Sequence, residues 1–162
     1  MLTIIIPCYN ERNTIEKLVK KINSLTDIKK QIIIIDDGSS DGSTEILKKK
    51  LLRKVDKIIF LKKNIGKGFA IQQSKAFIRG SVVIIQDADL EYDPCDYRSL
   101  IMPIVKNECN VVYGSRFLDK RLYKNYSIFS IKVIGNKLLT IFSNILNQNH
   151  CLPTILGSSN NG

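Results

Sequence analysis

An α/β domain with a mostly parallel sheet and helices on both faces is what this sequence of 162 residues predicts. Three observations carry it. Short β-branched runs alternate with longer amphipathic segments, the runs are apolar throughout rather than at every second residue, and a polar loop closes each of them. Strand followed by helix, repeated along a chain, is the pattern of a parallel sheet joined by helical crossovers. Strands without polar alternation are those covered on both faces.

In chain order, LTIII (2–6), QIIII (31–35), KIIFL (57–61), SVVII (81–85) and NVVY (110–113) read as strands, each bounded by Pro, Gly, Asn or Asp. Between them, ERNTIEKLVKKINSL, DGSTEILKKKLLRK, KGFAIQQSKAFI and CDYRSLIMPIVKNE place apolar residues three or four apart and read as helices, the second with Ser43 or Asp41 as N-cap. One domain of ordinary core size fits this length and a hydrophobic content of 44%.

Composition narrows the partners. The formal charge is +10. It reflects either Lys-rich solvated helix faces such as LKKKLLRK (47–54) or an anionic partner, a phosphorylated substrate or an acidic membrane surface. No nucleic-acid partner is expected, because no zinc-finger, RNP or helix-turn-helix signature accompanies the charge. Cys8, Cys95, Cys109 and Cys151 show no metal-binding spacing, and His150 is the only histidine, so the cysteines read as reduced thiols. No run reaches the ~20 apolar residues of a membrane span and the start lacks signal-peptide features, which points to the cytoplasm.

In parallel α/β sheets ligands collect at the carboxyl ends of the strands. Here those ends carry Pro7-Cys8-Tyr9-Asn10-Glu11, Asp36-Asp37-Gly38-Ser39, Asn64-Ile65-Gly66-Lys67-Gly68, the acidic stretch from Asp87 to Asp93, and Gly114-Ser115-Arg116. DDGSSDG is also compatible with a plain turn capping the next helix. Asn64 to Gly68 lacks the third glycine of a dinucleotide fingerprint and the Ser or Thr of a P-loop. Asp87 and Asp89, brought together by a turn, are hard oxygen ligands suited to Mg²⁺ or Mn²⁺ beside substrate phosphates. Glu91 and Asp93 have a second reading, as acidic residues facing the start of the next helix.

IIIPCYNE, IIIIDDGSSDGS, NIGKGFA, IIQDADLEYDP and VVYGSRFL, in this order and spacing, resemble the family-2 glycosyltransferases, above all the dolichyl-phosphate and polyprenyl-phosphate mannosyl- and glucosyltransferases. The resemblance covers about residues 2–148. It implies a GT-A fold, the Rossmann-like nucleotide-diphospho-sugar transferase sheet. It further implies inverting transfer of a hexose from UDP-glucose or GDP-mannose to a polyprenyl phosphate at the cytoplasmic face of a membrane, by a peripheral enzyme. Pro7, Tyr9 and Glu11 match its first nucleotide-contacting motif, and Ile35 and Asp37 match positions lining the base pocket. Lys67, in NIGKGFA, joins the nucleotide-sugar set. Asp87, Ala88 and Asp89 match the Asp-x-Asp site, where a divalent cation, Mg²⁺ or Mn²⁺, bridges the diphosphate, with Glu91 in the place of a third ligand. Arg116 matches the arginine that engages phosphate near the acceptor, so Asp89 and Arg116 are the catalytic candidates.

The remaining expectations concern the C-terminal part. Residues 120–162 contain no carboxylate. A phosphate monoester acceptor, already largely dianionic with a second pKa near ~6, needs no general base there. SIFSIKVIGNKLLTIFSNIL (127–146) reads as a helix that either packs in the core or lies on a membrane surface near the lipid acceptor. The expected organisation is a catalytic domain over 1–148, incomplete at its C-terminus, and a disordered tail over 149–162. The other readings are a nucleotide-binding remnant without catalysis and a family-2 transferase acting on a cell-surface saccharide.

Overall fold

The computed structural model describes residues 1–114. Met1–Cys95 form one compact unit. It contains β1 (Leu2–Cys8), α1 (Ile15–Ser24), β2 (Lys30–Asp36), α2 (Ser43–Ile46), β3 (Lys57–Phe60), α3 (Lys67–Gln73) and β4 (Val82–Ile85). A second unit begins at Asp96. Its described part holds α4 (Tyr97–Val105).

Among the described residues all strand pairs are parallel and the order is β3-β2-β1-β4. Ile4 pairs with Ile32 on one side and with Ile84 on the other, which puts the isoleucine runs in the middle of the sheet. Ile4, Ile6, Ile32 and Ile34 occupy one face, Ile5, Ile33 and Ile35 the other, and each is at most 2% exposed. Full burial of such a side chain contributes about 1.5–3 kcal/mol, so β1 and β2 anchor the fold.

The crossovers diverge from this centre. β1 to β2 and β2 to β3 step the same way across the sheet, whereas β3 to β4 steps back past both. Right-handed connections therefore place α1 and α2 on one face and α3 on the opposite face. Ala70 of α3 packs on Ile5, Ile33 and Ile35 accordingly. On α1, Ile15, Leu18, Val19 and Ile22 form the buried stripe at spacings of three and four.

Several expectations are corrected. Residues 110–113 are not a strand: 111–114 are irregular, with Val111 and Tyr113 exposed. β-branched propensity does not by itself supply a ladder. β3 and β4 are only half covered, with Val83 and Ile85 40% and 53% exposed, and among the described strands these two are the outer ones. The second helix is α-helical only over Ser43–Ile46 and continues as a π-helical turn, Leu47–Leu51, which still buries both leucines and exposes the lysines. Its N-cap is Gly42 at φ 98° rather than Ser43 or Asp41. The Asp41 carboxylate nevertheless accepts the Ser43 N–H at 2.9 Å.

α4 ends in a Schellman closure. Asn107, at φ 59°, donates its N–H to the Ile104 carbonyl, and Glu108 donates to that of Pro103. The segment 127–146 and the tail 149–162 lie outside the described residues. None of the described helices is long and apolar enough to cross a membrane.

Candidate functional site

The divergence of the crossovers lies between β1 and β4, and a crevice opens there at the carboxyl ends of the strands, as the rule for open α/β sheets requires. A cleft of about 290 Å³ is lined by Pro7, Cys8, Tyr9, Glu11, Asp37, Asn64, Gly66, Lys67, Asp87, Ala88 and Asp89. The loops after all four strands contribute to it.

The β1 and β2 loops are tied together. Asn10 donates its N–H to Ser39 Oγ at 3.0 Å and accepts the Ser40 N–H on its own Oδ1 at 2.8 Å. The Glu11 N–H is held by Ser43 Oγ at 2.8 Å, and Ser43 Oγ donates in turn to Asp41 Oδ1 at 2.6 Å. Asp41 also accepts the Arg12 N–H at 3.0 Å. Desolvation pushes the Asp41 carboxyl up, but the Ser43 hydroxyl and the backbone N–H groups of Ser43 and Arg12 together hold it below the usual carboxylate range. Asp36, buried at the end of β2, accepts from Thr44 Oγ1 at 2.5 Å and from the Ser39 N–H at 3.1 Å.

Asp37 links β2 to the next loop. Its side chain accepts the Ile65 N–H at 3.0 Å and the Gly66 N–H at 2.9 Å, one on each carboxylate oxygen. Gly38 makes the close approach possible. It sits at φ 70°, and a Cβ there would fall 2.6 Å from the carbonyl carbon of Lys63. Gly66, at φ 106°, precedes α3 and puts Lys67 at the first helical position.

On the β4 side, the Gln86 N–H bonds to the Ile5 carbonyl at 2.9 Å, extending the ladder one residue beyond the strand. Its side-chain amide donates to the carbonyls of Asp87 (2.9 Å) and Tyr92 (3.3 Å), which closes the acidic loop. The chain turns at residues 88–90. Asp89 Oδ1 accepts the Glu91 N–H at 3.0 Å, and Leu90 sits at φ 66°, a region costly for any residue with a Cβ. Ala88 is buried at 4% exposure while Asp87 and Asp89 both line the cleft.

Oxygen donors of this kind suit Mg²⁺ or Mn²⁺. The position already attracts positive charge, since Lys67 Nζ lies 2.5 Å from Asp87 Oδ1. The residues present thus fit a hard divalent cation through two carboxylates. Glu91 is exposed and outside the cleft lining. Among the described residues no group of three or more His, Cys, Asp or Glu comes together as a metal cluster.

Of the residues singled out in the sequence, Pro7, Tyr9, Glu11, Asp37, Lys67, Asp87, Ala88 and Asp89 meet in this cleft. Ile35 does not: it is fully buried in the core with Ile5, Ile33 and Ala70, because strand alternation turns it onto the α3 face. Arg116 lies outside the described residues. Cys8, Asn64 and Gly66, which the sequence placed at the strand ends without a role, also line the cleft, and the supporting bonds of Asp36 and Asp41 were missed. For Asp36 and Asp41 a signal existed, the Asp-x-x-Ser and Asp-x-Ser spacings of side-chain turns. Cys8 is no nucleophile. Burial, reinforced by the charges of Asp36, Glu11 and Asp41, pushes its thiol up to about 12.

The model of the glycosyl transferase family 2 matches residues 3–154, nearly the whole chain. The chain is similar to the dolichol-phosphate mannosyltransferase of Pyrococcus furiosus, with 30% identity over 79% of this chain and 36% of that protein. It is also similar to the undecaprenyl-phosphate 4-deoxy-4-formamido-L-arabinose transferase of Edwardsiella ictaluri, with 33% identity over 62% of this chain and 32% of that one. It spans about a third of the length of these relatives. Among solved structures, glucosyl-3-phosphoglycerate synthase from Mycobacterium tuberculosis, in complex with Mn²⁺, UDP and glucosyl-3-phosphoglycerate, superimposes with a TM-score of 0.52 at 26% identity. That match covers 64% of this chain and 39% of the synthase. The sheet and its helices are a GT-A fold.

Proposed function

The chain belongs to glycosyl transferase family 2, and from that premise we propose that it transfers a hexose from a nucleotide sugar to a polyprenyl phosphate. The observation that carries the reading is the convergence of Asp87, Asp89 and Lys67 with the loop residues Tyr9, Glu11 and Asp37 in one cleft at the switch point of the sheet. Two relatives named for dolichol-phosphate and undecaprenyl-phosphate transfer support the acceptor class. The synthase structure with Mn²⁺ and UDP supports the donor class and a divalent cation.

In this reading Pro7, Tyr9, Glu11 and Asp37 border the nucleoside end of the cleft, and Lys67 faces the diphosphate. Asp87 and Asp89 would hold a divalent cation, which supplies positive charge opposite the departing diphosphate. The acceptor phosphate, largely dianionic at neutral pH, attacks the anomeric carbon with one of its oxygens while the bond from that carbon to the nucleoside diphosphate breaks, inverting the centre. No general base is required. Arg116 orients the acceptor phosphate through its planar guanidinium. Transfer takes place at the cytoplasmic face of a membrane, where a water-borne donor meets a lipid acceptor, with the chain bound peripherally.

The direct test is incubation of the protein with UDP-glucose or GDP-mannose, Mn²⁺ and a polyprenyl phosphate in detergent, followed by extraction of the lipid. A hexosyl phospholipid is the expected product. Donor consumed with no lipid-linked sugar would remove the acceptor assignment.

A further inference from the structure

Lys67 is held in place by a relay of contacts. Asp37 fixes the N–H groups of Ile65 and Gly66, α3 starts one residue later, and the Lys67 ammonium then reaches Asp87 Oδ1 at 2.5 Å. Both side chains remain open to solvent, at 55% and 31% exposure. An ion pair this exposed adds little to folding stability, so the fold does not depend on it and the partners are free to exchange.

We propose that Lys67 is a resident counter-cation: it neutralises Asp87 while the cleft is empty, yields that carboxylate to an incoming divalent cation, and swings to the diphosphate of the nucleotide. This rests on the reading of Asp87 and Asp89 as the cation's ligands. An ammonium and a divalent cation at one carboxylate oxygen repel each other, so the cation binds weakly until an anion arrives to receive the ammonium. The flexible four-carbon stem of lysine permits that movement without any change in α3. Cation and nucleoside diphosphate then assist one another's binding, and the coupling is reciprocal.

The test compares the full chain with Lys67→Met, Lys67→Arg and Asp89→Asn. Free Mn²⁺ is followed by electron paramagnetic resonance without nucleotide, and UDP or GDP is titrated calorimetrically at saturating Mn²⁺. Lys67→Met is expected to bind Mn²⁺ alone about fivefold more tightly and the nucleoside diphosphate about fivefold more weakly, while Lys67→Arg changes neither by more than about twofold. A merely structural lysine would not give opposite signs. If Asp89→Asn weakens Mn²⁺ binding but Lys67→Met leaves it unchanged or weaker, this inference is overturned and the cation site stands. If Mn²⁺ binding is indifferent to Asp89→Asn as well, the cation site falls and this inference with it.

Discussion

Asp37 and Gly66, 29 positions apart in the chain, are joined by a 2.9 Å hydrogen bond from the Gly66 N–H to the Asp37 carboxylate. With the second bond, from Ile65, the side chain organises the loop that delivers Lys67. Asp37→Ala removes two charge-assisted bonds from a buried carboxylate. Destabilisation by about 1–3 kcal/mol is expected, together with at least tenfold weaker binding of UDP or GDP. Urea unfolding and calorimetry check the two effects, and unchanged nucleotide affinity in a folded variant would return Asp37 to a purely structural role.

Asp89→Asn preserves shape and removes a charged oxygen ligand. Nucleotide-sugar affinity measured in Mn²⁺ is expected to fall by about tenfold, roughly 1.4 kcal/mol, and affinity in chelator to stay as it is. Equal affinities for both proteins under both conditions would sink the cation site.

Asp41 makes the tie between the first two loops dependent on pH. Because its folded pKa lies below the ordinary value, the stabilisation is complete above the unfolded pKa near ~3.9 and vanishes as the pH falls through the folded one. Asp41→Asn is expected to cost at most about 1 kcal/mol at pH 7, because solvent screens a part-exposed carboxylate. The gap should narrow below about pH 4. Urea midpoints of both proteins between pH 7 and pH 3 measure it; a gap that widens in acid contradicts the assignment.

Arg116→Lys tests the acceptor side. Lysine keeps the charge but loses the planar fork, so transfer to polyprenyl phosphate is expected to drop by about tenfold or more, with nucleotide-sugar binding within about twofold. Loss of donor binding with intact acceptor kinetics would move Arg116 to the diphosphate.

The centre of the fold was legible because Ile4 to Ile6 and Ile32 to Ile35 admit no helical periodicity, and only a doubly covered strand hides such runs. The carboxyl-end rule then located the cleft residues. What stayed hidden depends on long-range contacts. Nothing local in the sequence says that Asp37 spends both oxygens on residues of the third loop, or that Lys67 finds Asp87. The turn after Asp87 was expected, but its positive φ at Leu90 was not, since leucine is not a residue that announces one. Residues 110–113 misled for the opposite reason, as their composition favours a strand that the backbone does not form.

Gly38 leaves no thickness between the second and third loops, its α-carbon hydrogen facing the backbone of Lys63 and Asn64. For anyone exchanging parts between relatives to alter nucleotide preference, residues 36–39 and 63–67 accordingly behave as one transplantable unit. A chimaera that takes one loop without the other would pair surfaces shaped for different neighbours, and the misfit would emerge as a displaced Lys67, away from Asp87.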